Sequence, residues 1–386
     1  MAFGVYLHFP YCLSKCPYCD FASVASEPPH ERYARAIARE LELRSADAAN
    51  RTSISLYLGG GTPSLWSPEA AGRAVGAVRS AVPFADDPEV TLEANPGAAE
   101  AARFAAFRAA GFNRISIGIQ SFDDRVLSRL GRAHTGDEAV AAVKAARDAG
   151  FGNLALDLLY GGASQDLALA RADAARAVSL SPEHLSCYAL TLEHLAVDVP
   201  MAKEVRAGRL EVPDDDLQWE FGRAIGEVLC GAGYRRYEIS NWARPGREAR
   251  HNALYWNGGE YLGLGCGACG FLLNDPADPS RGGRRWGNHR EPGRYLADVE
   301  AGKRPEAWSE DLDAPTLLRE RVSMGLRQVA GVDLGQACAE LGESAAPLVE
   351  AARKLEKQGL AVLEGERVRL TERGLDFHTE AVLAFV

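Results

Sequence analysis

The feature that most restricts how this chain folds is a unit repeated six times in its first half. Each copy is a short apolar run, a loop and an alanine-rich segment of helical period. Residues 5–9, 54–58, 90–94, 114–119, 153–158 and 184–190 read as strands, and 33–43, 69–82, 101–110, 137–149 and 167–180 read as the helices between them. Strands that alternate with helices at this spacing pair in parallel, with each helix crossing over one face of the sheet. A closed βα barrel needs eight such units. Six predict an α/β fold built on an open, six-stranded (βα)6 partial barrel.

Beyond residue 190 the pattern stops. Residues 213–230 form one more amphipathic segment, and from Tyr234 to about Pro305 the chain is rich in Gly, Trp, Tyr and Arg, with little helical period. From about Asp311 helical spacing returns and ends in two apolar runs around Glu364-Gly365-Glu366, the pattern of a winged-helix-like module. The expected division is 1–233, 234–310 and 311–386, in keeping with a chain of 386 residues that is too long for one ordinary core.

Three of the eight cysteines fall in Cys12-x3-Cys16-x2-Cys19, in the loop after the first strand. Clustered thiolates hold either an iron–sulfur cluster or zinc. A zinc site would need His8 or His30 to complete it, and the second half of a paired zinc motif is missing nearby. Cys187, Cys230 and Cys338 stand alone and are expected to be small buried side chains. The ends of the next four strands carry Gly59-Gly60-Gly61-Thr62-Pro63, Glu93-Ala94-Asn95-Pro96, Gln120-Ser121 and Asp157. Ligands of βα barrels bind at that end of the strands. Glycines there allow close backbone approach to a ligand, acidic groups accept from hydroxyls, and an arginine forks onto a carboxylate.

With 43 basic against 53 acidic side chains the net charge is −10, which disfavours a nucleic-acid partner. The chain opens without a basic segment leading into an apolar one, and no apolar run nears the ~20 residues of a membrane span. Location in the cytoplasm is therefore expected.

The cysteine spacing and the Gly-Gly-Gly-Thr-Pro turn resemble the radical S-adenosylmethionine (SAM) superfamily. More narrowly they resemble the branch that holds oxygen-independent coproporphyrinogen III dehydrogenase and the HemW haem chaperones. The resemblance extends through Arg235-Arg236-Tyr237-Glu238-Ile239-Ser240-Asn241-Trp242 and Gly263-Leu264-Gly265 to the terminal module. It implies that Cys12, Cys16 and Cys19 ligate a [4Fe–4S] cluster whose fourth iron chelates SAM. It also implies that Tyr6, Gly60, Gly61, Thr62, Glu93, Gln120, Arg132 and Asp157 contact SAM.

Within this branch the dehydrogenase carries a fourth cysteine where this chain has Phe21, and a long segment ahead of the motif where this chain has eleven residues. His251-Asn252-Ala253-Leu254-Tyr255-Trp256 matches the H-N-x-x-Y-W motif of the chaperones. These three features favour a protein that binds haem as cargo and passes it to an acceptor haemoprotein, membrane-associated ones included. Coproporphyrinogen III decarboxylation is the alternative. By this resemblance His251 would ligate haem iron beside two aromatic rings. Without it, the residues read as a hydrogen-bonded pair beneath core aromatics. Where the family has histidine, this chain has Cys269 in Cys266-Gly267-Ala268-Cys269. That pair is expected to pack as small residues rather than bind haem or act as a redox couple. Arg281, Arg284 and Arg285 form the one notable basic cluster, suited either to porphyrin propionates or to a solvated loop.

Overall fold

The computed structural model describes residues 2–162, 165–192 and 199–385. The six expected strands are all present: β1 (Phe3–Phe9), β2 (Ser53–Gly60), β3 (Phe84–Ala94), β4 (Arg114–Gln120), β5 (Leu154–Tyr160) and β6 (His184–Ala189). They lie side by side in chain order, all parallel. Their outward residues, such as Leu56, Leu58, Val90, Leu92, Ile115, Ile117, Leu154 and Leu156, are fully buried under the helices. Alternate positions turn inward and carry polar groups: Ser55 and Tyr57, Thr91 and Glu93, Arg114 and Ser116, Asp157, His184 and Ser186. Helix starts follow side-chain chemistry, as where Thr135 and Glu138 cap each other ahead of Gly136–Asp148. The helix expected over 101–110 is two short pieces, Ala98–Ala101 and Phe104–Ala109.

The sheet is larger than six strands. After β6 come β7 (Arg235–Glu238), β8 (Asn241–Ala243), β9 (Glu260–Leu264), β10 (Cys269–Leu273), β11 (Gly283–Asn288) and β12 (Glu306–Leu312). Together the twelve run in the order β12-β11-β10-β9-β1-β2-β3-β4-β5-β6-β8-β7. β9 adds a seventh parallel strand on the free edge of β1, pairing Phe3 with Glu260 through Leu7 with Leu264. β10 to β12 continue antiparallel. Residues 234–310 thus share the barrel's sheet, and Trp242, Leu262, Leu264, Trp286, Tyr295 and Val299 join its core. They also contain two helices, Arg250–Trp256 and Pro292–Glu300, in a stretch whose sequence shows little helical period.

From Leu312 onward a second core forms around Leu317, Val322, Leu334, Ala337, Leu355 and Val368. Helices Ala314–Gly325, Leu334–Leu341 and Ala346–Lys357 pack with strands Val332–Asp333, Ala361–Glu364 and Arg367–Leu370, the last of these central. Helix, strand, two helices and a hairpin is the order of a winged helix.

Candidate cofactor site at the mouth of the barrel

The cysteine loop leaves the C-terminal end of β1. It is fastened by short strands Tyr11–Cys12 and Val24–Ala25, and by a Cys19 N–H to Cys16 carbonyl bond of 3.0 Å. Within the loop Lys15 Nζ donates to the Phe21 carbonyl at 3.2 Å, and from outside it Arg290 donates to the Asp20 carbonyl at 2.6 Å. All three thiols are free. Burial pushes the Cys12 thiol up, opposed by the nearby Thr62 and Ser23 side chains. Binding a metal there would release the thiol proton, because the ligand is the thiolate.

Gly61 lies directly beneath. A Cβ there would stand 3.0 Å from Cys12 Sγ and 2.8 Å from the Tyr11 carbonyl, so only glycine leaves this room. Gly60 has φ +117°, and a Cβ on it would strike the His8 ring. Its N–H donates to Glu93 Oε2 at 3.0 Å, and the Tyr57 hydroxyl donates to Glu93 Oε1 at 2.7 Å. Burial pushes the Glu93 carboxyl up to about 7, opposed by those bonds.

Across the mouth, Arg132 Nη2 donates to Asn95 Oδ1 at 2.6 Å and to the Gly118 carbonyl at 2.9 Å, while Nη1 stands 3.7 Å from Cys16 Sγ. Asn95 Nδ2 in turn donates to Thr62 Oγ1 at 3.1 Å. Gln120 sits at φ +69° with its amide over Gly118, where a Cβ would come within 2.9 Å of Nε2. Asp157 accepts from Ser116 Oγ at 3.1 and 3.2 Å, and burial raises its carboxyl. Tyr6 lies deeper, with its hydroxyl 3.0 Å from His8 Nδ1.

Eleven of the twelve residues expected at the site therefore stand on this end of the strands or line the interior just below it. Sequence reasoning gave no role to Tyr57 and Arg114, and to Asn95 none beyond its place at a strand end. Inward-facing polar positions within otherwise apolar strands were the available signal. Among the described residues no three His, Cys, Asp or Glu side chains already converge as a metal site. The donor chemistry still fits a cluster: three free thiols in one loop, over a glycine floor and beside a guanidinium. It does not fit zinc completed by histidine. His8 Nε2 is 2.8 Å from the Ala22 carbonyl, and His30 Nδ1 accepts the Ser67 N–H at 3.1 Å.

The twelfth residue, His251, departs from expectation. It is buried, with Nδ1 2.8 Å from Ser55 Oγ and Nε2 2.8 Å from the Tyr255 hydroxyl, and its ring stacks on Tyr57 at 5.1 Å. Both nitrogens are taken, and burial lowers its pKa to about 3. This arrangement matches a hydrogen-bonded histidine beneath aromatics and argues against an iron ligand. Cys266 is buried and its thiol donates to the His289 carbonyl at 3.2 Å, whereas Cys269 is exposed. Cys187 and Cys338 are buried as expected, but Cys230 is exposed. Arg281 pairs with Asp275, Arg284 with Glu306, and Arg285 with Glu310 and Glu320, so the basic cluster is not free charge.

A parallel partial barrel that presents three cysteines above a glycine turn defines a radical SAM protein. Residues 6–167 match the radical SAM superfamily, and 312–377 match the HemN C-terminal domain. Over its whole length the fold follows coproporphyrinogen III oxidase (HemN) from Escherichia coli, with a TM-score of 0.83, 22% identity and 90% of that chain covered. Sequence likeness is stronger elsewhere. The chain is 39% identical to heme chaperone HemW of Mycobacterium tuberculosis over 96% of its own length and 92% of the relative's. It is 41% identical to that of Escherichia coli, covering 78% and 80%. The mouse mitochondrial radical S-adenosyl methionine domain-containing protein 1 is 37% identical, covering 85% and 74%. The chain belongs to the HemW haem-chaperone family of the radical SAM superfamily.

Proposed function

We propose that this protein carries haem to acceptor haemoproteins, membrane-associated ones included, and holds a [4Fe–4S] cluster on Cys12, Cys16 and Cys19 with SAM beside it. The observation that carries this reading is 39% identity to a haem chaperone along 96% of the chain. The likeness to the oxidase is one of fold, at 22% identity, with a C-terminal domain family in common. When bound, the cluster supplies one-electron reducing power toward the sulfonium of SAM. The chain's own residues supply position. Gly60 and Gly61 would present backbone to the amino-acid end of the cofactor, Arg132 would fork onto its carboxylate, and Asp157 would accept from its ribose. Tyr6, Thr62, Glu93 and Gln120 complete the wall. Phe21, 66% exposed beside the loop, stands where a decarboxylating relative would need another thiol.

Two measurements test this. Reconstituted protein given haem should bind it about stoichiometrically and pass it to an apo-haemoprotein. The same protein given SAM, a reductant and coproporphyrinogen III should form no protoporphyrinogen above background. Robust turnover would instead make it the dehydrogenase. Separately, Arg132→Ala and Asp157→Ala should each weaken SAM binding while leaving iron content intact, read by the change SAM causes in the reduced cluster's spectrum. Wild-type SAM binding in both variants would remove the barrel mouth as the SAM site.

A further inference from the structure

A cleft of about 270 Å3 opens where the sheet extension meets the C-terminal module. Its floor comes from strand register: Tyr261 of β9 pairs with Phe271 of β10, which pairs with Arg285 of β11, so the three stand abreast. Tyr255 packs edge-on against Tyr261 at 4.7 Å, and Trp256 follows it at one end. Leu317 and Met324 of helix Ala314–Gly325 form the opposite wall, with Arg321 at the rim. The site is thus a slot between flat rings and a helix, with two guanidiniums and the Glu320 carboxylate at its edges. One polar group points to a ligand: the Trp256 indole N–H is buried without a partner. The Tyr261 hydroxyl is bonded to none of the described residues and stays accessible on the same lining. The neighbouring Tyr255 hydroxyl, by contrast, is held by His251.

We propose that this cleft is the porphyrin site, with Tyr261 as the axial ligand to ferric haem iron and Arg285 and Arg321 facing the propionates. The inference rests on the haem-carrying reading above and moves the iron away from His251. Ligand pockets run roughly 300–1,000 Å3, and this slot of about 270 Å3 falls short of them, so it admits a porphyrin only by one edge and leaves the other exposed. A carrier that must hand its cargo on requires such an exposed edge. Tyrosine is an established oxygen ligand of haem iron. Binding forms the iron–oxygen bond as the phenol O–H breaks; the proton leaves to solvent and the iron stays ferric. Burial pushes the Tyr261 phenol up to about 12, with Arg285 opposing, so ferric iron must provide the charge that holds the phenolate. The propionates would share Arg285 with Glu310 and Glu320, and Arg321 with Glu340. His251 then acts one step removed, by orienting Tyr255 as a wall of the slot.

Titration of the full chain with ferric haem, followed by visible absorption and paramagnetic resonance, tests the assignment. Wild type should bind one haem with a phenolate-to-iron charge-transfer band. Tyr261→Phe, which keeps the ring and its packing, should lose that band and bind haem about tenfold more weakly or worse, yet bind iron-free protoporphyrin as wild type does. Met324→Trp, at a position already 39% exposed, should block the slot and weaken both ligands. If wild type binds haem but neither variant alters affinity or spectrum, the cleft is not the site. A spectrum altered only by Cys269→Ser or His251→Ala likewise overturns it. A wild type that binds no haem overturns the haem-carrying reading as well.

Discussion

Replacing any one of Cys12, Cys16 and Cys19 by alanine should strip anaerobically reconstituted protein of its visible absorption, its acid-labile sulfide and about four irons per chain. The expected effect is all or nothing because a cubane held by three thiolates has no spare protein ligand. No substitute is at hand: His8 and His30 are engaged by the Ala22 carbonyl and the Ser67 N–H. Cys187→Ala and Cys338→Ala are the matched controls. Both thiols are buried, and they lie on β6 and in the C-terminal module, so their loss should leave iron and sulfide at wild-type levels. Gly61→Ala should act like a ligand variant, since its Cβ would press on Cys12 Sγ and two carbonyls at 2.8–3.0 Å. Stoichiometric zinc without sulfide in wild type would overturn the cluster assignment.

The barrel and its mouth were legible because their signals are local and periodic. Each βα unit announces itself within about 35 residues, and polar residues at strand ends stand out against apolar runs. The sheet extension was not legible, for a physical reason. β9 is only Glu260–Leu264, and its Gly263 is required because a Cβ would collide with the Cys269 carbonyl at 1.9 Å. A strand whose alternation is broken by an obligatory glycine looks like a loop until its partner is known. His251 failed differently. A histidine beside two aromatics has the composition of a haem site, but whether its nitrogens are free depends on Ser55, 196 positions away. Tyr261 was overlooked because an unpartnered hydroxyl is a property of the assembled cleft. The buried ion network between residues 40 and 306 was equally invisible, since its members are spread over most of the chain.

That network carries the largest stability effect expected of a single substitution. Arg44 is fully buried just after helix His30–Leu43. Its Nε donates to Glu40 Oε1 at 3.0 Å, Nη1 to Glu306 Oε1 at 2.9 Å and Nη2 to Asn288 Oδ1 at 3.1 Å, with the guanidinium 4.6 Å from the Trp286 ring centre. Glu40, also fully buried, accepts in addition from the Gly265 N–H at 2.8 Å and from the Tyr295 hydroxyl at 2.9 Å. The pair therefore fastens the first helix to β11, β12 and the loop after β9. Arg44→Met preserves much of the volume but leaves the Glu40 carboxylate buried without its cation. Breaking a buried pair from one side costs about 3–5 kcal/mol, to be read as a lower denaturation midpoint. Arg44→Met with Glu40→Leu removes both charges, so it should recover part of that loss, although Gly265, Asn288 and Tyr295 then lose an acceptor. The same loosening should reach the cofactor site, because the Gly265 to Ala268 turn packs on Ala22 of the cysteine loop. Arg44→Met should accordingly lose its cluster to a chelator faster than wild type at temperatures where both remain folded. A single variant as stable as wild type would mean that this joint does not hold the extension to the barrel.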